Sequence, residues 1–213
     1  MTLEEAIAKI KPLDHNAMEI AQKRWDSIAK PLHSLGKLET LLIQIAGITG
    51  NAEVDLSRRG LIAMCADNGV VEEGVTQTGQ EVTAIVAENF LKYDTSVGVM
   101  CKQNHAEIFP VDMGMVTDTK VRTDHKIAYG TQNMTKGPAM TREQAVKGLE
   151  AGIDMVRELN DKGYRILATG EMGIGNTTTS SAVASVLLKQ PVEEMTGRGA
   201  GLTSEGLVRK INA

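Results

Sequence analysis

The sequence predicts an α/β fold: a parallel sheet flanked by helices, with a small helical subdomain in front of it. Two observations carry this. Short, largely apolar runs such as Leu61–Ala66 (LIAMCA) and Arg165–Ala168 (RILA) alternate with longer stretches of helical spacing. That alternation is the signature of strands buried on both faces and joined by crossover helices. Before Gly60 the spacing is helical throughout, with no strand-like run between helices. The organisation expected is therefore a helical subdomain or arm over 1–50 and an α/β domain over 51–213.

The elements follow in order. Leu3, Ile7 and Ile10 recur at helix spacing before Pro12, and Asp14 caps a second helix through about Ile28, which stops before Pro31. Ser34 is placed to begin a third helix whose apolar stripe is Leu35, Leu38, Leu41, Leu42 and Ile45. Leu61–Ala66 reads as a buried strand that ends in a loop at Asp67-Asn68-Gly69. Helical spacing returns in Val82–Leu91 and Val97–Gln103; Ala106–Val111 reads as a second strand and Lys126–Ala128 as the start of a short third. Thr141 and Gln144 form a capping box that opens a helix through about Asn160, ended by Gly163. The strand Arg165–Ala168 then leads through a glycine-rich turn, Gly170–Gly175, into a Thr/Ser/Ala-rich helix, Thr177–Leu188, and a last helix starts after Thr203.

Composition excludes several classes of function. With 42% hydrophobic residues and a net charge of −4, the chain has too much apolar content and too little charge for disorder. Its 23 Lys and Arg fall below its 27 Asp and Glu, and there is no basic block, so no nucleic-acid partner is expected. The N-terminus MTLEEAIAKI carries acids where a signal peptide carries bases, and no apolar run is long enough to span a bilayer, so a cytoplasmic protein without membrane association is expected. Cys65 and Cys101 cannot form a disulfide framework, and the four histidines show no zinc spacing. Neither metal nor cofactor is predicted. The 21 glycines are in excess and cluster in motifs, as happens where backbone approaches a ligand.

Three of the four segments able to carry chemistry fall just after predicted strands, at the edge where open α/β sheets bind ligands. Gly170–Thr179 (GEMGIGNTTT) runs from strand through a glycine turn to a helix start. The amides around Gly173, Ile174, Gly175 and Asn176, the helix N-terminus, and the Thr177 and Thr178 hydroxyls make an anion cradle suited to phosphate. The alternative is a tight turn with Thr capping. No Gly-Lys-Ser/Thr follows, so this is not a P-loop. Glu171, an acid beside an anion site, needs a chemical role to justify its position. Thr196–Gly201 (TGRGAG), with Gly197, Arg198, Gly199 and Gly201, reads either as a second anion-contacting loop or as a flexible connector. Asp67 suits a ligand-orienting carboxylate, although an Asx-turn with Asn68 is the favoured reading of those letters. In Lys30–Glu39 (KPLHSLGKLE), Glu39 is expected to pair with a neighbouring Lys.

In sequence order these segments, together with Gly137-Pro138-Ala139-Met140 and the ADNGVVEEGV loop, closely resemble the nicotinate-nucleotide:dimethylbenzimidazole phosphoribosyltransferases from about residue 14 onward. The resemblance implies a Rossmann-like nucleotide-binding domain, a homodimer, and no metal. It implies transfer of ribose 5-phosphate from nicotinate mononucleotide to 5,6-dimethylbenzimidazole or a related base, with inversion at the anomeric carbon, for assembly of cobalamin and related cobamides. It places Gly173–Thr178 and Gly197–Gly201 on the phosphate, Glu171 near the reacting centre, and Thr78 and Val86 by the aromatic base. The chain also departs from the family pattern: Leu32-His33 replaces a more usual Pro-Gly, Asn68 a His, and Val86 a glutamine found in some relatives. The family's C-terminal LGEG-like stretch with its catalytic glutamate does not occur here, so the chain alone is expected to turn over slowly. A competing reading is a non-catalytic phosphate-binding fragment that needs a second chain.

Overall fold

A computed structural model describes residues 1–213, which divide into two compact units, Met1–Arg58 and Arg59–Ala213.

In the first unit, α1 (Leu3–Ala8) opens on a capping box between Thr2 and Glu5. α2 (His15–Ser27) starts where Asp14 predicts, with Asp14 Oδ1 accepting from the Ala17 amide at 2.9 Å. The third helix does not begin at Ser34. His33 and Gly36 both adopt left-handed backbone, φ 58° and 54°, which a right-handed helix cannot contain, so α3 runs Lys37–Thr49. Nor is the leucine stripe its packing face: Leu35, Leu38 and Leu41 are exposed. The buried residues of the two helices include the small Ala17, Ala21, Ala46 and Gly47, while Leu42 and Ile45 of the stripe are half-buried. A Cβ on Gly47 would lie 2.6 Å from Met18 Cγ, so only glycine permits this approach.

The most buried charge in this unit is Glu39, 3% exposed. Its Oε1 accepts from the Leu35 amide at 3.0 Å and lies 2.8 Å from Lys30 Nζ. The Lys30 ammonium, more than any other group, holds the carboxyl below its ordinary value of 4.5. An acid whose pKa is depressed by folding stabilises above its unfolded value and loses that contribution as pH falls through the folded one. Trp25 is the only tryptophan, and Lys30 Nζ lies 5.7 Å from its ring centroid. Acidification below 4.5 should therefore shift Trp25 emission, and Glu39→Gln should produce the shifted emission already at neutral pH. Emission unchanged in both experiments would contradict the role given to this pair.

The second unit is built on a parallel three-stranded sheet in the order β2-β1-β3, from β1 (Arg59–Ala66), β2 (Ala106–Gly114) and β3 (Ile166–Met172). β1 is central, and its alternate residues point to opposite faces. Ala63 and Cys65 join Ala84, Ala87 and Phe90 of α4 (Glu81–Lys92) in one buried cluster. Ile62 joins Met155 and Leu159 of α6 (Arg142–Asp161) in another. The β1-to-β2 crossover, which also carries α5 (Ser96–Gln103), and the β2-to-β3 crossover thus cover opposite faces. Pro110 is tolerated because β2 is an edge strand, where a missing N–H costs no ladder bond. Cys65 is fully buried, and burial pushes its thiol up to about 12, which makes it inert.

Three expectations need correction. Lys126–Ala128 is not a strand; it is irregular chain anchored to the end of β2 by the Ile127 amide donating to Met113 O at 3.0 Å. β3 does not stop at Ala168 but continues to Met172, so Gly170 and Glu171 belong to the strand and the turn shrinks to Gly173–Gly175. Gly69–Glu73 is a short 3-10 turn rather than open loop. Beyond the turn come α7 (Asn176–Leu188), α8 (Val192–Met195), which the sequence reading does not anticipate, and α9 (Ser204–Asn212), capped by Thr203. The outer side of β3 is largely exposed, and α7 leaves Val183, Val186, Leu187 and Leu188 open to solvent. No helix is long and apolar enough to cross a membrane.

Candidate functional site

β1 and β3 end side by side, with Cys65 opposite Met172, so the loops that leave them share one edge of the sheet. Space there dictates glycine. A Cβ on Gly173 would sit 2.3 Å from the Ala66 carbonyl oxygen, and Gly175 has φ +91°. The turn delivers the chain into α7 with no side-chain cap, which leaves the first-turn amides to other partners. The Asn176 and Thr178 amides bond back to Gly173 O and Gly175 O. The Ile174 amide donates to Thr83 Oγ1 at 3.1 Å. The Gly175 and Thr177 amides find no acceptor within the chain and remain available to a ligand.

These groups open on a cleft of about 200 Å³ lined by residues 75–78, 172–177, 198–200 and 202. Its far wall is the second glycine loop, where Gly199 and Gly201 take φ +56° and +106°. Gln77 Nε2 donates to Gly201 O, closing the wall against the loop after β1. Arg198 lines the cleft, but its guanidinium folds over its own loop, donating to Leu202 O at 2.8 Å and Ser204 Oγ at 3.1 Å.

The cation beside the turn is one that sequence reasoning missed. Lys210 on α9 is 4% exposed; its Nζ donates to Thr177 Oγ1 at 2.8 Å and Gly197 O at 3.0 Å. Both acceptors are neutral and no carboxylate pairs with it, so burial lowers its pKa. An ammonium kept from water without a counter-ion is costly; Lys210 does not itself line the cleft but stands behind Thr177, which does. A signal did exist: Leu202, Gly206 and Lys210 recur every four residues, and all three are buried.

Of the sequence-predicted residues, the structure brings Gly173, Ile174, Gly175, Asn176, Thr177, Arg198, Gly199 and Thr78 together on the cleft. Gly201 and Gly197 join them through their carbonyls, which accept from Gln77 and Lys210. Glu171 stands at the rim, its carboxylate accepting from Asn176 Nδ2, and crowding by protein raises its pKa against that hydrogen bond. Asp67, Thr178 and Val86 do not line the cleft. Asp67 is fully buried and makes no Asx-turn; its Oδ2 accepts from the Val116 amide at 2.8 Å, and burial raises its pKa against help from the Thr83 hydroxyl. Thr178 is buried, with its hydroxyl unpartnered. Val86 packs against the cluster around Ala84 and Phe90.

A second cavity of about 200 Å³, between the segment after β2 and the start of α6, is lined by Met113, Ile127, Ala128 and Met140 among others. No charged side chain lines it; its polar lining is Thr131, Gln132 and Gln144. No group of three or more His, Cys, Asp or Glu side chains is arranged to hold a metal ion.

Strand, glycine turn and uncapped helix start are the arrangement by which α/β proteins as a class receive anions. A family model described as "Phosphoribosyltransferase" matches residues 10–213, and the chain belongs to that family. Among curated relatives, it is 51% identical over 213 residues to the nicotinate-nucleotide–dimethylbenzimidazole phosphoribosyltransferase of Ruminiclostridium cellulolyticum, covering 99% of this chain and 60% of that protein. To the protein of the same name from Clostridium tetani it is 46% identical, covering 99% and 59%. Among solved structures, that of CobT from Thermus thermophilus superposes with a TM-score of 0.81 at 36% identity, over 92% of this chain and 60% of that one. The chain thus spans about three-fifths of the length of the relatives it matches.

Proposed function

We propose that this chain takes part in transferring the ribose 5-phosphate group of nicotinate mononucleotide to 5,6-dimethylbenzimidazole or a related aromatic base, yielding α-ribazole 5′-phosphate and nicotinate for cobamide assembly. The observation that carries the reading is the pairing of free turn amides at Gly175 and Thr177 with a buried lysine that lacks a counter-ion. In this reading the phosphate rests between the turn, the Gly197–Gly201 loop and Lys210, and Thr78 faces the base.

The chemistry asks little of acids. The C1′–N bond of a cationic pyridinium breaks, and nicotinate leaves with the bonding pair as a neutral ring, so no proton is delivered to it. The base forms the new C1′–N bond and must shed a proton from its other nitrogen. A carboxylate does this better as its pKa rises towards the working pH. We assign that task in this chain to Glu171, beside the turn with a raised pKa, in place of the C-terminal glutamate that the family resemblance names. A homodimer accompanies this reading; sedimentation showing a monomer at high concentration would remove it.

Calorimetric titration with nicotinate mononucleotide tests the proposal, with the phosphate-free riboside as comparison. The mononucleotide should bind well and the riboside poorly; equal affinities would refute the phosphate site. Where nicotinate release on adding 5,6-dimethylbenzimidazole is measurable, Glu171→Gln should slow it by about 10²–10⁴-fold, the usual cost of losing a general base. Release at an unchanged rate would take the proton-accepting role away from Glu171.

A further inference from the structure

Ile174 in the turn is gripped through both of its backbone groups, which belong to two successive peptide units. The Ile174 N–H donates to Thr83 Oγ1 at 3.1 Å, and the Ile174 C=O accepts from Asn68 Nδ2 at 3.1 Å. The two grips come from different elements, since Asn68 follows β1 and Thr83 lies in the first turns of α4. Both are themselves fixed. Thr83 is fully buried beside Asp67. Asn68 Oδ1 accepts from Thr179 Oγ1 at 3.3 Å, and Asn68 O accepts from Gln80 Nε2 at 3.2 Å. Asn68 thus ties the loop after β1 to the turn and to α7 at once.

We propose that Asn68 and Thr83 are positioning residues that hold the turn in its anion-receiving shape by clamping the two peptide units that flank Ile174. The inference rests on the cleft being the phosphate site. Its physical basis is preorganisation: a turn with two glycines and no side-chain cap would otherwise sample many conformations, and ordering it on binding would cost affinity. With the Ile174 N–H and C=O both satisfied by side chains, the Gly175 amide, which shares its peptide unit with the Ile174 carbonyl, and the Thr177 amide stay unpaired yet fixed. Neither Asn68 nor Thr83 touches the ligand in this arrangement, so both act through the backbone.

Four variants, Asn68→Leu, Asn68→Asp, Asn68→His and Thr83→Val, test the proposal on the full chain. A neutral imidazole carries one N–H and one lone-pair nitrogen, as the carboxamide edge does, whereas leucine carries neither and aspartate has no donor. The probes are nicotinate mononucleotide, inorganic phosphate and the riboside, titrated calorimetrically beside a thermal melt. Asn68→Leu and Asn68→Asp should each lose roughly tenfold or more in affinity for the two phosphate-bearing probes, the scale of one hydrogen bond. The riboside should bind as it does to the parent chain, and Asn68→His should recover most of the loss. Amide exchange at Ile174, slow in the parent, should accelerate in Thr83→Val. Phosphate affinity unchanged in Asn68→Leu overturns the proposal. So does an equal loss for all three probes that tracks the melting temperature and is not rescued by histidine. A folded parent chain that ignores phosphate altogether fails earlier and brings down the site itself.

Discussion

Lys210→Met should raise the melting temperature while weakening the grip on a mononucleotide's phosphate. The two effects share one cause. The ammonium is 4% exposed and bonds only to neutral oxygens, so burial lowers its pKa below the ordinary 10.5. A base whose pKa falls on folding destabilises the native state at every pH below the folded value, and that cost fades as pH rises towards the unfolded one. Methionine has similar length and no charge, so it removes the cost at neutral pH. Thr177 and Gly197, which lose their donor, lie at the exposed rim and can turn to water. The ligand has no such recourse, because removing a charged hydrogen-bond donor from a phosphate site costs about 1.5–3 kcal/mol, or roughly 10–150-fold in affinity. A thermal melt and a titration on one preparation check both signs. A variant that melts lower and binds as before would mean that Lys210 is a structural tether.

Gly173→Ala should eliminate mononucleotide binding, although it adds a single methyl group. That methyl would sit 2.3 Å from the Ala66 carbonyl oxygen, at the end of the central strand. Backbone in the middle of a sheet cannot retreat, so the turn must move, carrying the Gly175 and Thr177 amides with it. Strain of this kind costs about 1–3 kcal/mol in stability, and the displaced amides no longer converge. Gly152→Ala, in α6 and away from the cleft, is the control, because a Cβ there meets nothing within 4 Å. It should bind within a few-fold of the parent chain. Equal behaviour of the two variants would show that glycine in the turn serves flexibility rather than fit.

Much of this was legible from local letters. Asp14, Thr141 with Gln144, and Thr203 announce helix starts because a cap is satisfied within three residues, and all three cap as expected. The glycine loops announce a cleft because glycine clustering reports constraint on the backbone itself. What stayed hidden depends on partners distant in sequence. Glu39 pairs with a neighbouring lysine, Lys30, as its segment suggests, but its burial shows only once the Leu35 amide also closes over it. Lys210 looks like an ordinary basic residue near a helix C-terminus until α9 lays it beside Thr177. The leucine stripe of α3 misled because the small residues behind it set how closely the helices approach. β3 outran its apolar run since pairing with β1, not hydrophobicity, decides where a strand stops.

The uncovered flank of β3, with the bare valines and leucines of α7, has a practical side. Unpaired ladder groups beside greasy side chains are a template for adhesion between chains. Concentrated solutions of this polypeptide should scatter light increasingly with time, and charged replacements at Val186 and Leu187, at the other end of α7 from the glycine turn, should keep them clear.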